Sequence, residues 1–150
     1  MNLYQMLKAD HKKVKGLFEE YDKAGDRAFK KKSQIAQQVF RELDVHAKIE
    51  EEIFYPEVKA RADAEGRKLV AEGYEEHHVV HQLIAELKEL RPEDERFDAK
   101  FKVLKENVEH HIQEEEKELF PEAKDGLDGE ESEIARRMEE KKRALLEILQ

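Results

Sequence analysis

The chain contains no cysteine among its 150 residues. Disulfide bonds, thiolate metal sites and cysteine-based catalysis are therefore excluded. Proline and glycine are also scarce, with only three and six residues respectively. Charged residues instead make up 43% of the chain and apolar residues 39%. This balance is typical of a helical bundle, whose outer faces are solvated and whose inner stripes are apolar.

Long hydrophobic runs are missing as well. The N-terminus, MNLYQMLKADHKK, lacks the apolar stretch of a signal peptide, and no segment approaches the roughly 20 apolar residues of a membrane-spanning helix. We therefore expect a cytoplasmic protein. The formal net charge of −9 argues against a nucleic-acid partner, because contact with phosphates requires a basic face, and it disfavours an anionic membrane.

Apolar residues recur at spacings of three and four along nearly the whole chain, with no convincing alternating strand. The length suits one domain. We predict an all-α, up-down-up-down four-helix bundle over about residues 3–125 and a short fifth helix as a C-terminal brace. The predicted helices run from about Leu3 to Lys23, Phe29 to Tyr55, Lys68 to Leu90, Asp94 to Phe120 and Glu131 to Leu149.

Proline should interrupt two of these helices. Pro56 and Pro121 lack the backbone N–H that a helix interior needs, so each is expected to kink or restart its helix. Residues 57–66 are predicted to be a polar helical extension or a loop.

One segment of the chain occurs twice. HAKIEEEIFYPE, which begins at His46, aligns without a gap on HIQEEEKELFPE, which begins at His111. The alignment places Glu50 on Glu115. Upstream, Asp10-His11 resembles Glu76-His77, and the separations from His11 to His46 and from His77 to His111 are nearly equal. Each half thus supplies one histidine on its first helix and His-x-x-x-Glu on its second.

Helical phase separates the histidines that face the core from those that do not. Positions four apart differ by about 40° around a helix, so His-x-x-x-Glu keeps both side chains on one face. His78 and His110 lie off the apolar stripes and are predicted bystanders. The inward set comprises five histidines and two glutamates: His11, His46, Glu50, His77, His81, His111 and Glu115.

Seven polar side chains at one depth of the core need compensation, because each buried carboxylate or imidazole costs several kcal/mol when unpaired. A polar hydrogen-bond network is one solution. A metal centre satisfies the same groups with fewer left unpaired. A structural zinc site is closed and four-coordinate, so seven ligands predict two metal ions.

Counting ligands predicts an open position. Five imidazoles, two bridging carboxylates and an oxo or hydroxo bridge leave one place vacant on two octahedral ions. His81 has Lys15 as its counterpart in the first half, so the vacancy falls on the ion with only two histidines. Mixed imidazole and carboxylate ligation suits iron, although ligand type alone leaves manganese and zinc open.

These motifs resemble the hemerythrin-like proteins, the HHE cation-binding family, over about residues 3–125. The matching series is Asp10-His11, His46-x-x-x-Glu50, His77-x-x-x-His81 and His111-x-x-x-Glu115, with the endings FYPE and LFPE. The resemblance implies a four-helix bundle around a non-haem di-iron centre. It further implies one iron on His77, His81 and His111, the other on His11 and His46, and bridges from Glu50 and Glu115.

The resemblance leaves the function between two classes. Oxygen-carrying members have an aspartate one residue further on in the last motif, where this chain has Glu116, so Glu116 is the alternative bridge to Glu115. The first hypothesis is a protein that binds or senses dioxygen, nitric oxide or peroxide. The second is a di-iron peroxidase, catalase or oxidase, which a proton-donating tyrosine such as Tyr74 beside the iron would favour. Ferritin-like proteins fit less well, because they use more carboxylates than imidazoles.

Overall fold

The computed structural model describes residues 2–149, which form seven α-helices and two single π-helical turns. Their bounds are α1 Leu3–Lys23, α2 Phe29–Ile49, a first π turn Glu50–Phe54, α3 Tyr55–Arg61, α4 Ala64–Lys88, α5 Glu95–Glu114, a second π turn Glu115–Leu119, α6 Phe120–Leu127 and α7 Glu131–Ile148. The all-α prediction is confirmed. None of these helices is both long and apolar enough to cross a membrane.

The π turns join helices without a break. The helix that begins at Phe29 continues through the first π turn to Arg61, and the helix that begins at Glu95 continues through the second to Leu127. Five helical rods result, as the periodicity predicts. Neither proline starts a new rod, because Pro56 and Pro121 each lie in the first turn of the α-helix that follows a π turn.

The surroundings of Pro56 show how the missing N–H is tolerated. In the π turn, the N–H of Tyr55 donates to the carbonyl of Glu50, five residues earlier. Pro56 cannot donate to the next carbonyl, that of Glu51. The hydroxyl of Tyr74 on α4 donates to this carbonyl instead, at 3.1 Å.

A polar layer divides the core into two apolar clusters. The first cluster lies at the end of the bundle that contains Leu7, Phe54 and Phe120, and the second contains Phe18, Phe40 and Phe101 at the opposite end. Between them lie the buried polar residues Asp10, His11, His46, Glu50, His77, His111 and Glu115. The histidine and glutamate motifs therefore meet in the middle of the bundle, between the two apolar clusters.

The last helix packs against α1, α2 and the first π turn. Ile134, Ala135 and Met138 of α7 are buried in the first apolar cluster. On the same helix, Lys142 donates to the carboxylate of Asp10 at 2.6 Å. The C-terminal brace therefore contacts a residue of the polar layer as well as the apolar core.

Candidate metal centre

Four histidines and two glutamates meet at the centre of the bundle. His11, His46, His77 and His111 come from α1, α2, α4 and α5, and each glutamate is the first residue of a π turn. Ring centroids lie 5.0 Å apart for His11 and His46 and 4.8 Å apart for His77 and His111. The matched spacing of the two halves predicts this common level.

The six side chains divide into two sets that share both carboxylates. Ligand atoms lie within 4.8 Å of one another in His11, His46, Glu50 and Glu115, and likewise in His77, His111, Glu50 and Glu115. We call these the first and the second ligand set. Each set contains two imidazole nitrogens and an oxygen from each glutamate.

The distances show how the carboxylates connect the sets. Nε2 of His77 and of His46 lie 3.1 Å and 3.4 Å from Oε1 of Glu50. Nε2 of His11 lies 3.1 Å from one oxygen of Glu115, and Nε2 of His111 lies 3.1 Å from the other. Each glutamate therefore faces one histidine of each set, which is the arrangement of a carboxylate that bridges two ions.

An outer carboxylate holds the Nδ1 atom of each histidine. Nδ1 donates to a carboxylate in all four cases: His11 to Glu116 at 2.7 Å, His46 to Asp10 at 2.9 Å, His77 to Glu51 at 2.9 Å and His111 to Glu76 at 2.7 Å. A carboxylate can only accept, so Nδ1 carries a proton and Nε2, which faces the shared glutamates, is the nitrogen that could bind a metal. These outer roles were not predicted from the sequence, although the repeat aligns Glu51 with Glu116 and Asp10 with Glu76.

The outer carboxylates settle the place of Glu116 in this structure. Its side chain is 30% exposed and contacts His11 from outside the ligand sets. Glu115, by contrast, is 2% exposed and belongs to both sets. The structure therefore places Glu115, and not Glu116, within the two ligand sets.

A tyrosine hydroxyl lies beside the two histidines of the second ligand set. The hydroxyl of Tyr55 donates to Glu115 Oε2 at 2.6 Å and lies 3.4 Å from Nε2 of His77. The repeat places Phe120 at the matching position, where its ring stacks on His11 with the planes 4° apart. Because a π turn contains an extra residue, Tyr55 can face the same side as Glu50, five residues before it. The aligned pair of Tyr55 and Phe120 was the available signal in the sequence.

Tyr74 has a structural contact rather than a place in the ligand sets. Its hydroxyl donates to the backbone of Glu51, and its ring packs edge-on against Tyr55 with centroids 5.1 Å apart. Tyr55, and not Tyr74, is thus the tyrosine with a hydroxyl next to the ligand atoms.

The structure brings together six of the seven predicted ligands and leaves His81 apart. His81 is exposed and belongs to neither ligand set. On α4, His81 lines the same cavity as His77, Val80 and Ile84, but it does not join the ligand atoms of either set. Ligation by His81 stays a prediction. Lys15, its counterpart on α1, is exposed as well.

The two predicted bystanders lie on the surface. His78 is exposed, and the side chain of His110 is 64% exposed with Nε2 3.0 Å from Glu114. Helical phase therefore separates these two histidines correctly from their buried neighbours, His77 and His111.

Opposite charges stabilise the buried layer. Burial acts to lower the pKa of His46, but the charge of Glu50 and the hydrogen bond to Asp10 raise it to about 10. Burial acts to raise the pKa of Glu50, yet the nearby imidazoles hold it well below its usual range. The same opposition, with Glu115 as the main partner, raises the pKa of His111 well above its usual value.

Two atoms of the layer nevertheless lack partners. Within residues 2–149, Nε2 of His46 and Oε2 of Glu50 are fully buried and make no hydrogen bond. An unsatisfied buried polar atom costs about 1–3 kcal/mol. A metal ion coordinated by both atoms would remove this cost, so the residues present fit a metal centre.

Comparison with known proteins agrees with this geometry. The model of the hemerythrin HHE cation binding domain matches residues 2–123. The chain belongs to the hemerythrin HHE cation-binding family. The match ends within α6 and leaves α7 outside.

Individual relatives are distant. A DNA nickase from Nostoc sp. is 29% identical over 133 residues, which are 89% of this chain but only 36% of that protein. The uncharacterized protein Rv2633c of Mycobacterium tuberculosis is 27% identical over 81% of this chain and 71% of its own length. The crystal structure of an HHE domain-containing homologue of Rv2633c from Mycobacterium kansasii superposes with a TM-score of 0.80, at 26% identity over 99% of this chain and 92% of that one.

A cavity of about 650 Å³ adjoins the ligand sets. All four ligand-set histidines contribute to its wall, together with apolar residues from the second apolar cluster and polar residues from α2 and α4. On the other side of the histidines, the buried rings of Tyr55 and Phe120 close the centre. Small molecules can thus approach the histidines from the cavity side.

Proposed function

We propose that the two ligand sets hold a pair of iron ions bridged by Glu50 and Glu115. The observation that carries this proposal is the sharing of both buried carboxylates between two pairs of histidines. Each ion would receive two imidazole nitrogens and two carboxylate oxygens, and an octahedral ion has six positions. Positions would therefore remain for a small ligand.

We further propose that the centre binds dioxygen or a related molecule, such as nitric oxide or peroxide, from the cavity. The iron pair, when bound, would supply open coordination positions and redox chemistry. The surrounding chain contributes orientation through the four Nδ1 hydrogen bonds, and apolar side chains such as Val14 and Val108 line the cavity beside the histidines. If His81 is not a ligand, each ion would have two histidines. The two ion sites would then differ in Tyr55, whose hydroxyl lies beside His77 and His111 of the second ligand set.

The test begins with metal content. Metal-free protein is loaded with ferrous iron without oxygen, the ions per chain are counted, and the optical spectrum is followed during exposure to air and to azide. We expect two ions per chain and a spectral change that reverses when oxygen is removed. A maximum of one ion per chain, or no response to either molecule, would contradict the proposal.

A variant at the shared carboxylate makes this test specific. Glu115→Gln removes a ligand from both sets and should reduce binding to one ion or none. Glu118→Gln changes an exposed residue of the same π turn and should leave two ions bound. Equal metal content in the two variants would show that Glu115 does not bridge.

Tyr55 supports a second candidate function, the peroxide-consuming enzyme. Burial and the adjacent carboxylates of Glu115 and Glu50 raise its pKa well above the ordinary value, so the hydroxyl keeps its proton. Oxygen carriage requires a centre without a proton donor, because protons promote the release of peroxide. A buried O–H 2.6 Å from Glu115 places a hydrogen-bond donor at the centre, and bound metal ions would lower its pKa and let it supply a proton.

Peroxide turnover separates the two functions. An enzyme should consume many equivalents of hydrogen peroxide per iron pair, and Tyr55→Phe should slow this reaction while two ions stay bound. Tyr4→Phe is the matched control, because Tyr4 is a buried tyrosine of the same apolar cluster that lies outside the ligand sets. Stoichiometric reaction without turnover would favour the binding protein.

The relatives add no activity to this proposal. The name DNA nickase belongs to a protein of which this chain spans 36%, and a net charge of −9 disfavours contact with a phosphate backbone. Absence of a nucleic-acid partner and residence in the cytoplasm stay predictions from the sequence.

A further inference from the structure

The cavity is much larger than a diatomic molecule requires. Its volume of about 650 Å³ compares with roughly 30 Å³ for a water molecule in the liquid, and it falls among the pockets of about 300–1,000 Å³ that hold organic ligands. Dioxygen would fill only a small part of it. The remaining volume is large enough for part of an organic molecule.

The wall of the cavity changes from polar to apolar within one helical turn. Each ligand-set histidine has an apolar residue three positions away on its own helix, and all four of these residues line the cavity: Val14, Leu43, Val80 and Val108. Three of the four are valines, whose short side chains leave space along the bundle axis. Ile84 and Ile112 extend the apolar wall.

The length of this wall sets the size of a ligand. From His77 to Ile84 is seven residues along α4, which corresponds to about 10 Å at 1.5 Å per residue. An extended alkyl chain of about eight carbons has this length. The mouth between α2 and α4 is polar, with the exposed side chains of Lys48, Glu75 and His78. It lies beside His46 and His77, and not at the far end of the wall near Ile84.

We infer that the cavity binds a small organic molecule with an oxygen-donor head at the metal pair and an unbranched apolar tail of up to about eight carbons along the valine-lined wall. This inference rests on the proposed function, since the head needs the metal centre. A carboxylate or an alkyl hydroperoxide has the required head. The apolar wall, and not the metal centre, then selects the tail.

The experiment measures affinity against tail length. Iron-loaded protein is titrated with azide and with linear monocarboxylates from acetate to decanoate, and binding is followed by the optical spectrum. Each buried methylene contributes about 0.8 kcal/mol, so affinity should rise about fourfold per carbon. The rise should stop near eight carbons, where the apolar wall ends at Ile84.

Two neighbouring valines provide the variant and its control. Val80 lines the cavity and is half-buried, whereas Val79 is 45% exposed on the outer side of α4. Val80→Phe should keep two ions and azide binding but lower octanoate affinity at least tenfold, towards that of acetate. Val79→Phe should retain the full dependence on tail length.

The possible failures are distinguishable. If azide binds while octanoate binds no more tightly than acetate, the inference is wrong and the proposed function stands. Unchanged octanoate binding in Val80→Phe would also overturn the inference, because the tail would then lie elsewhere. If the loaded protein binds neither azide nor acetate, the proposed function fails and the inference fails with it.

Discussion

Replacement of Lys142 by methionine tests whether α7 supports the metal centre. Lys142 Nζ donates to one oxygen of Asp10 at 2.6 Å, and the other oxygen accepts from His46 Nδ1 at 2.9 Å. The Asp10 side chain is 8% exposed and the Lys142 side chain 29%. Methionine keeps the apolar stem of lysine but leaves the buried carboxylate with the imidazole as its remaining partner.

The structure sets the size of the effect. A buried group that loses a hydrogen-bond partner costs about 1–3 kcal/mol, and the partial exposure of Lys142 places the expected cost in the lower half of this range. For a chain of this length, a loss of about 1–2 kcal/mol lowers the melting temperature by roughly 2–8 °C. A carboxylate that orients a metal ligand contributes about 10–100-fold to metal affinity. Lys142 acts through Asp10, so we expect a loss of about two- to tenfold.

Thermal unfolding of the metal-free protein and an iron titration measure the two effects. Lys141→Met is the matched control, because Lys141 lies 3.3 Å from Glu52 in a pair whose side chains are 38% and 54% exposed. Such a pair contributes about 0–1 kcal/mol. Lys142→Arg keeps the charge and should retain most of the iron affinity. Equal losses in Lys141→Met and Lys142→Met would refute the reasoning.

Three further predictions test the packing, the titration and the helical phase of the site. A Cβ at Gly73 would lie 2.7 Å from the hydroxyl of Tyr55, whereas one at Gly16 meets nothing within 4 Å. Gly73→Ala should therefore lower the melting temperature, while Gly16→Ala should raise it by increasing stability by about 0.5–1 kcal/mol. Equal shifts in the two variants would show that Tyr55 is not held there. The pKa of His46 is about 10 in the folded metal-free protein and about 6.5 when unfolded, so its stabilisation is complete below pH 6.5 and lost as pH rises towards 10; urea midpoints that stay constant over this range would contradict it. His46→Ala should remove a ligand of the first set and lower the bound iron below two ions, while His110→Ala should leave two, and metal analysis of both variants distinguishes ligand from bystander.

Local sequence was sufficient to predict the helical rods and most residues of the candidate metal centre. Apolar residues at spacings of three and four determine where each helix buries its face, and His-x-x-x-Glu keeps its two side chains within about 40° of each other on that face. The near-equal separations of His11 from His46 and of His77 from His111 then bring four histidines to one level. Six of the seven predicted ligands follow from these two features and lie together in the structure.

The π turns and the exposure of His81 could not be predicted from helical periodicity. Ideal α-helical phase places Tyr55 off the face of Glu50, but the extra residue of the π turn lets it face the ligand sets. The same ideal phase leaves His81 about 40° from His77, and only the packing of α4 against its neighbours decides whether its side chain joins the ligand atoms or lines the cavity beside them.

The sequence by itself determined which residue types face the core and how far apart along the chain they stand, because helical geometry is local. Only the tertiary structure decided which carboxylate pairs with which imidazole. Glu51 of the first half holds His77 of the second, and Glu116 of the second half holds His11 of the first. These crossed pairs join residues on different helices. Residue spacing along one helix does not determine how far that helix lies from another.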